Sequence, residues 1–201
     1  MEDKSNIEIL RDFAKSTNRS IVDKEIPHPL TGIHTFRKYR RMIYIPNNPQ
    51  RTSFFVWFSD PYAKIGLPTV LCGAFIPISS KIKSSINIRN RNTLDKLNIF
   101  SKTKTNKIGN DHFDSKVIIS GDMDSSMNRF LSPSRFQGQL LKALEIEKYM
   151  NISLNEYEID FVPELKNTPY LSIINPQSWY LEKDDIERVF RQIEKIRNTI
   201  Y

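Results

Sequence analysis

The stretch RRMIYIPNNPQRTSFFVWFSD, residues 40–60, decides the fold. It holds two runs rich in β-branched and aromatic residues, RRMIYI at 40–45 and TSFFVWFSD at 52–60, around the proline-bearing loop PNNPQR. That pattern predicts a β-hairpin. Side chains alternate along a strand, so Phe54, Val56 and Phe58 point one way while Phe55 and Trp57 point the other. Both sets are large and apolar, which predicts a strand buried on both faces. TVLCGAFIPI (69–78) reads as a third strand of the same kind, with Gly73 marking a bulge. SINIR (85–89) alternates apolar and polar residues and predicts a strand with one wet face.

Toward the N-terminus, Ser5-Asn6-Ile7-Glu8 has the form of a capping box, and Ile7, Leu10, Phe13 and Ala14 share one helical face. A short helix over residues 6–17 follows. Pro27, Pro29 and Gly32 predict an irregular stretch after it. Residues 90–111, rich in Asn, Lys, Thr and Ser, predict a long exposed connection with at most a helical turn.

Toward the C-terminus, Val117-Ile118-Ile119 is a short strand. Asp124-Ser125-Ser126 caps a short helix through Phe130, and Ser132-Pro133 starts a longer one with the stripe Phe136, Leu140, Leu141 and Leu144, ending near Asn151. EYEIDFV (156–162) alternates, with Tyr157, Ile159 and Phe161 inward, and YLSII (170–174) is its expected partner. The last helix, 183–199, carries Asp184 and Asp185 in its first turn, where the helix dipole favours them, and the stripe Ile186, Val189, Phe190, Ile193 and Ile196. The sum is one α+β domain over residues 1–201. A strand-rich basic half (about 33–110) precedes a strand-helix-strand-strand-helix half (about 112–200). The sheet is expected to be largely antiparallel, with the helices at 133–150 and 183–199 on one face.

No apolar run approaches the roughly 18 to 20 residues that a membrane-spanning helix needs. The charged start MEDKSNIEIL shows no secretory signal, so a cytoplasmic protein is expected. The one cysteine, Cys72, excludes an intramolecular disulfide and a cysteine-based zinc cluster. The net charge is +7 and unevenly spread: residues 37–107 carry fourteen Lys and Arg against two acids, whereas residues 151–201 carry six against nine. Such asymmetry points the basic region at nucleic acid or another polyanion, and the acidic C-terminal half at a protein partner.

FRKYRR (36–41) interleaves cations with aromatics, as surfaces that pair with phosphates and stack bases do. Arg37, Lys38, Tyr39, Arg40 and Arg41, extended by Arg51, Lys83, Arg89 and Arg91, are the candidate anion-binding residues. The competing reading is a solvated strand entry with arginines lying over aromatic core residues. Around the strand at 117–119, Asp111, Asp114, Asp122 and Asp124 could serve as turn and cap residues or, with His112, as a hydrolytic site. Asp114 and Asp122 lie eight residues apart, too far to converge across a straight strand, which favours capping. His28 and His34 lack a third zinc ligand nearby, and Cys72 reads as a buried small hydrophobe. No cofactor or metal is expected.

HFDSKVIISGDMDSSMNRFLSPSRFQGQLL (112–141) resembles a block in a bacterial family of uncharacterised, often membrane-tethered proteins. There an aromatic-acid pair opens a strand, an acidic turn follows, and a leucine-proline pair opens an amphipathic helix. The matching residues are Phe113-Asp114, Gly121-Asp122, Leu131 with Pro133, and Phe136 to Leu141. The resemblance extends over about 90 C-terminal residues and implies a fold but no activity, and this chain lacks the transmembrane helices common in that family. The expected function is therefore binding: a non-enzymatic bacterial protein that engages an anionic or a protein partner. A hydrolase near His112 and Asp122 and a structural assembly subunit are the alternatives.

Overall fold

The computed structural model describes residues 5–27, 39–59, 70–79, 82–92, 95, 105–176 and 181–201, with the side chains of residues 26, 27, 39 and 40 outside that description. Within it, residues 40–59 form the expected hairpin. β2 (Tyr39–Pro46) and β3 (Phe54–Ser59) pair antiparallel, Met42 opposite Phe58 and Tyr44 opposite Val56. β4 (Val70–Pro77) continues the meander, with Cys72 opposite Trp57. The other strands are β1 (Val22–Pro27), β5 (Ile86–Asn90), β6 (Val117–Gly121), β7 (Asn151–Leu154) and β8 (Tyr170–Ile174). All eight form one sheet in the order β1-β2-β3-β4-β8-β7-β5-β6, and every neighbouring pair is antiparallel.

Five helices occur among the described residues: α1 (Asn6–Ser16), α2 (Asp111–Lys116), α3 (Ser125–Leu131), α4 (Ser134–Leu144) and α5 (Lys183–Ile200). The fold is α+β, with α4 and α5 packed on one sheet face. On that face Ile43, Ile45, Phe55, Trp57, Ala74 and Ile173 meet the apolar stripes of α1, α4 and α5. The α5 stripe is the expected one, Ile186, Val189, Phe190, Ile193 and Ile196, all buried. At the start of α1, the Ser5 amide donates to the Glu8 carboxylate at 2.8 Å and the Ser5 hydroxyl at 2.7 Å.

The opposite sheet face is also covered, as the two-sided apolar pattern of β3 requires. Met42, Tyr44, Phe54, Val56 and Phe75 pack there against Ile159, Phe161, Val162 and Leu165. These last come from the connection at 155–169, which corrects one expectation. Residues 156–162 do not form a strand; they cross the sheet face as irregular chain, with alternate side chains turned inward. The Tyr170 hydroxyl replaces a ladder partner, accepting from the Tyr157 amide and donating to its carbonyl at 2.5 Å. β8 pairs instead with β4 and with β7.

β7 lies where the sequence predicts the end of a helix, and α4 stops at Leu144. Its period is disguised by Ser153, a fully buried polar residue whose hydroxyl shares a 2.6 Å hydrogen bond with that of Ser172 on β8. β1 occupies part of the stretch predicted to be irregular. Its Asp23, Lys24 and Glu25 suit an edge strand, where charge discourages pairing with another chain. Gly73 is not a bulge. It sits in regular register between Val56 and Ile174, and a Cβ there would lie 2.1 Å from the Ile173 carbonyl oxygen. Residues 111–116, expected to lead straight into a strand, form α2, capped by the Asn110 side chain, which accepts from the amides of His112 and Phe113. Pro133, not Ser132, occupies the N-cap of α4.

Candidate functional site

Among the described residues, the strand-half cations are distributed along the sheet and most have internal partners. Arg37 and Lys38 lie outside the described residues, as do the side chains of Tyr39 and Arg40, whose backbone opens β2. Arg41 stands directly opposite Glu25 on β1 and pairs with it. Arg51, in the loop between β2 and β3, pairs with Glu164. Its guanidinium also lies 5.7 Å from the Tyr44 ring centre and 5.5 Å from that of Phe54. That hydrogen-bonded pairing holds the Glu164 carboxyl below the usual range and raises the Arg51 guanidinium.

Arg89, on β5, makes two 2.7 Å bonds to Asp95, and these hold the Asp95 carboxyl at about 2. Arg91 donates to the carbonyls of Asp114 and Val117. Lys83 is exposed and lines an open groove of about 350 Å³ beneath the 155–169 connection, with Lys166 and Asn167. Arg41 and Arg89 lie on strands five places apart in the sheet. At about 4.8 Å per strand they are roughly 24 Å apart. The sequence candidates therefore do not gather into one described surface.

The acidic strand end is built of caps and turns. Asp114 accepts from the amides of Ile108 and Gly109 at 3.1 and 3.0 Å, closing the turn before α2. Asp124 is the N-cap of α3, accepting from the Met127 amide at 2.8 Å and from the hydroxyls of Ser126 and Ser84. The Ser126 and Ser84 hydroxyls, with that amide, hold its carboxyl at about 2. Asp122 is exposed, its amide donating to the Ser85 carbonyl, while Asp111 and His112 are exposed in the first turn of α2. Among the described residues no group of three His, Cys, Asp or Glu side chains could hold a metal. Cys72 and Trp57 are buried against the helices, whereas His28, His34 and Trp179 lie outside the described residues.

Sequence reasoning did not anticipate two features. The first is a polar junction where α1, the β2–β3 loop and α5 meet. Arg19 lies 5.4 Å from the Phe13 ring centre and 5.1 Å from that of Phe190, pairs with Glu187, and donates to Asn47. Beside it, Glu194 accepts from Ser53 at 2.6 Å and Thr52 at 2.9 Å. Two of the four acids of α5 are thus turned inward.

The second feature is the helix surface this leaves. α4 and α5 run antiparallel: the Gln192 side chain donates to the Gln139 carbonyl, and Arg188, one turn earlier, reaches the Ile146 carbonyl. On the solvent side of that seam, Arg135 and Lys142 of α4 and Arg191 and Lys195 of α5 are exposed and form no ion pair among the described residues. Their spacings, 135 to 142 and 188-191-195, are readable in the sequence as one-sided helical rows. Acids interspersed along α5 hide them until the inward turn of Glu187 and Glu194 is seen. No helix is long and apolar enough to cross a membrane among the described residues. No protein-family model, curated protein or solved structure matches the chain.

Proposed function

We propose that this is a bacterial, cytoplasmic, non-enzymatic protein that acts by binding a polyanion. The observation that supports this reading is the disposition of charge. Arg19, Arg41, Arg51 and Arg89 are matched by carboxylates. Exposed cations without ion pairs among the described residues, including Lys83, Arg135, Lys142, Arg191 and Lys195, remain open to an anionic partner. Arg37, Lys38, Tyr39 and Arg40 belong to the same proposal. A catalytic use of Asp114 or Asp124 would first require breaking the caps they close.

The test is a binding titration of the purified protein against heparin over a range of salt. Retention at low salt, with affinity falling steeply and linearly on a log–log plot as salt rises, is the expected result, because counterions are released when cations meet a polyanion. No retention at low salt would reduce the positive charge to a solubility feature and overturn the reading.

A further inference from the structure

The charge and the backbone agree at one place, the middle of α4. Gly138 lies three residues after Arg135 and four before Lys142, so the three share one helix face. A glycine inside a helix costs stability relative to alanine, and it persists where the missing side chain matters. Here the fold does not need it. Among the described residues a Cβ built on Gly138 meets nothing within 4 Å, and its φ is an ordinary one. The space above it is open to the outside, between the two cations.

The neighbouring helix is α5. Two helices packed side by side have axes roughly 8–10 Å apart, and the antiparallel contacts of Gln192 and Arg188 set their register. Lys142 therefore lies level with the Arg188–Arg191 turn, and Arg135 level with Lys195. Each pair in a row, 135 and 142 or 188 and 195, spans about 10 Å at 1.5 Å per residue. Arg188 already holds Asp185. The other four cations are exposed on the solvent side of the seam, Arg135 and Lys142 lying either side of Gly138 along α4, and they form no ion pair among the described residues.

We infer that this seam is where the polyanion of the proposed function binds, and that the polyanion is a nucleic acid whose phosphate backbone lies along the exposed cations and over Gly138. The inference rests on that reading and narrows it to a site and a chemical class. Exposed cations in a row on each of two adjacent helices, with a side-chain-free position between Arg135 and Lys142, suit a linear chain of phosphates. A bilayer would instead call for apolar or aromatic residues able to enter it, and positions 135, 138, 142, 188, 191 and 195 supply none. The same lack of aromatics leaves no platform for bases, so the contact is with phosphates and carries little sequence preference.

The experiment compares four proteins: wild type, a seam variant (R135A, K142A, R191A, K195A), a control that loses four exposed cations elsewhere (K15A, K24A, K116A, K166A), and Gly138→Gln. Each is titrated with labelled oligouridine, a mixed-sequence DNA duplex and phosphatidylserine-containing vesicles across a salt series, with thermal melting to confirm folding. The expected result is nucleic-acid binding by the wild type and the control. The seam variant should lose about 3 units of salt slope, near one per phosphate contact removed. Gly138→Gln should bind more weakly without melting earlier. Equal losses in the seam and control variants would overturn the seam but leave polyanion binding standing, as would binding to vesicles alone. Wild-type affinity in Gly138→Gln would overturn the seating over the glycine. Failure of the wild type to bind any of the three at low salt would remove both this inference and the reading beneath it.

Discussion

Two glycines in regular structure have opposite meanings, and they can be separated by one methyl group each. At Gly73 an added Cβ meets the Ile173 carbonyl oxygen at 2.1 Å and the Ile174 Cα at 2.8 Å, both backbone atoms of the adjacent strand. They can recede only by opening the β4–β8 ladder. Gly73→Ala should therefore cost about 3 kcal/mol, at the upper end of overpacking effects. Gly138→Ala meets nothing and should stabilise by about 0.5 to 1 kcal/mol through helix propensity. Urea unfolding of the two single variants checks both signs, and equal shifts would contradict the account. A glycine within a strand announces either a bulge or a close approach. The choice at Gly73 is made by a strand about a hundred residues later, which no local pattern contains. The caps were legible for the converse reason: Asp124 and Glu8 act on amides within three residues of themselves.

Among the elements, the 155–169 connection shows how a correct period can give a wrong structure. Glu156 to Val162 alternates, and Ile159 and Phe161 are indeed buried, yet the segment has no ladder. Its backbone is anchored by one side chain, Tyr170, whose hydroxyl serves both the amide and the carbonyl of Tyr157. Tyr170→Phe should cost about 1 to 3 kcal/mol, because two backbone groups on a covered sheet face lose their partner. Burial raises the phenol pKa of both Tyr157 and Tyr170. The neutral forms are then the ones the fold holds. Their contribution is complete below the ordinary phenol value of about 10 and is lost as pH rises beyond it. In an alkaline spectrophotometric titration at least two of the eight tyrosines should ionise only as the protein unfolds. Ionisation of all eight with the fold intact would refute that. α5 was fully legible because its stripe needs no partner to be recognised, whereas β7, four residues long with a buried serine, was not.

For the molecule as a whole, the hairpin and the meander were readable because they join neighbours in sequence, while the sheet order was not. β4 and β8 meet at the centre of the sheet, covered by helices on one face and by the 155–169 connection on the other. β1 lies at an edge. Native-state hydrogen exchange should follow that layout, slowest at the amides of β4 and β8 and fastest in β1. Uniform protection across the sheet would argue against it. The same order also governs how the protein is made. Synthesis runs N to C at about 5 to 20 residues per second, so roughly 5 to 20 s separate the appearance of β4 from that of β8. Through that interval the first four strands exist with the far edge of β4, an apolar strand, still unpaired. α5, which covers it, comes later still than β8. A nascent chain stalled or truncated before residue 170 would carry an open, sticky sheet edge, the kind of surface that recruits chaperones or aggregates. Closure of this sheet depends on residues 170–200 reaching strands that have been waiting for them.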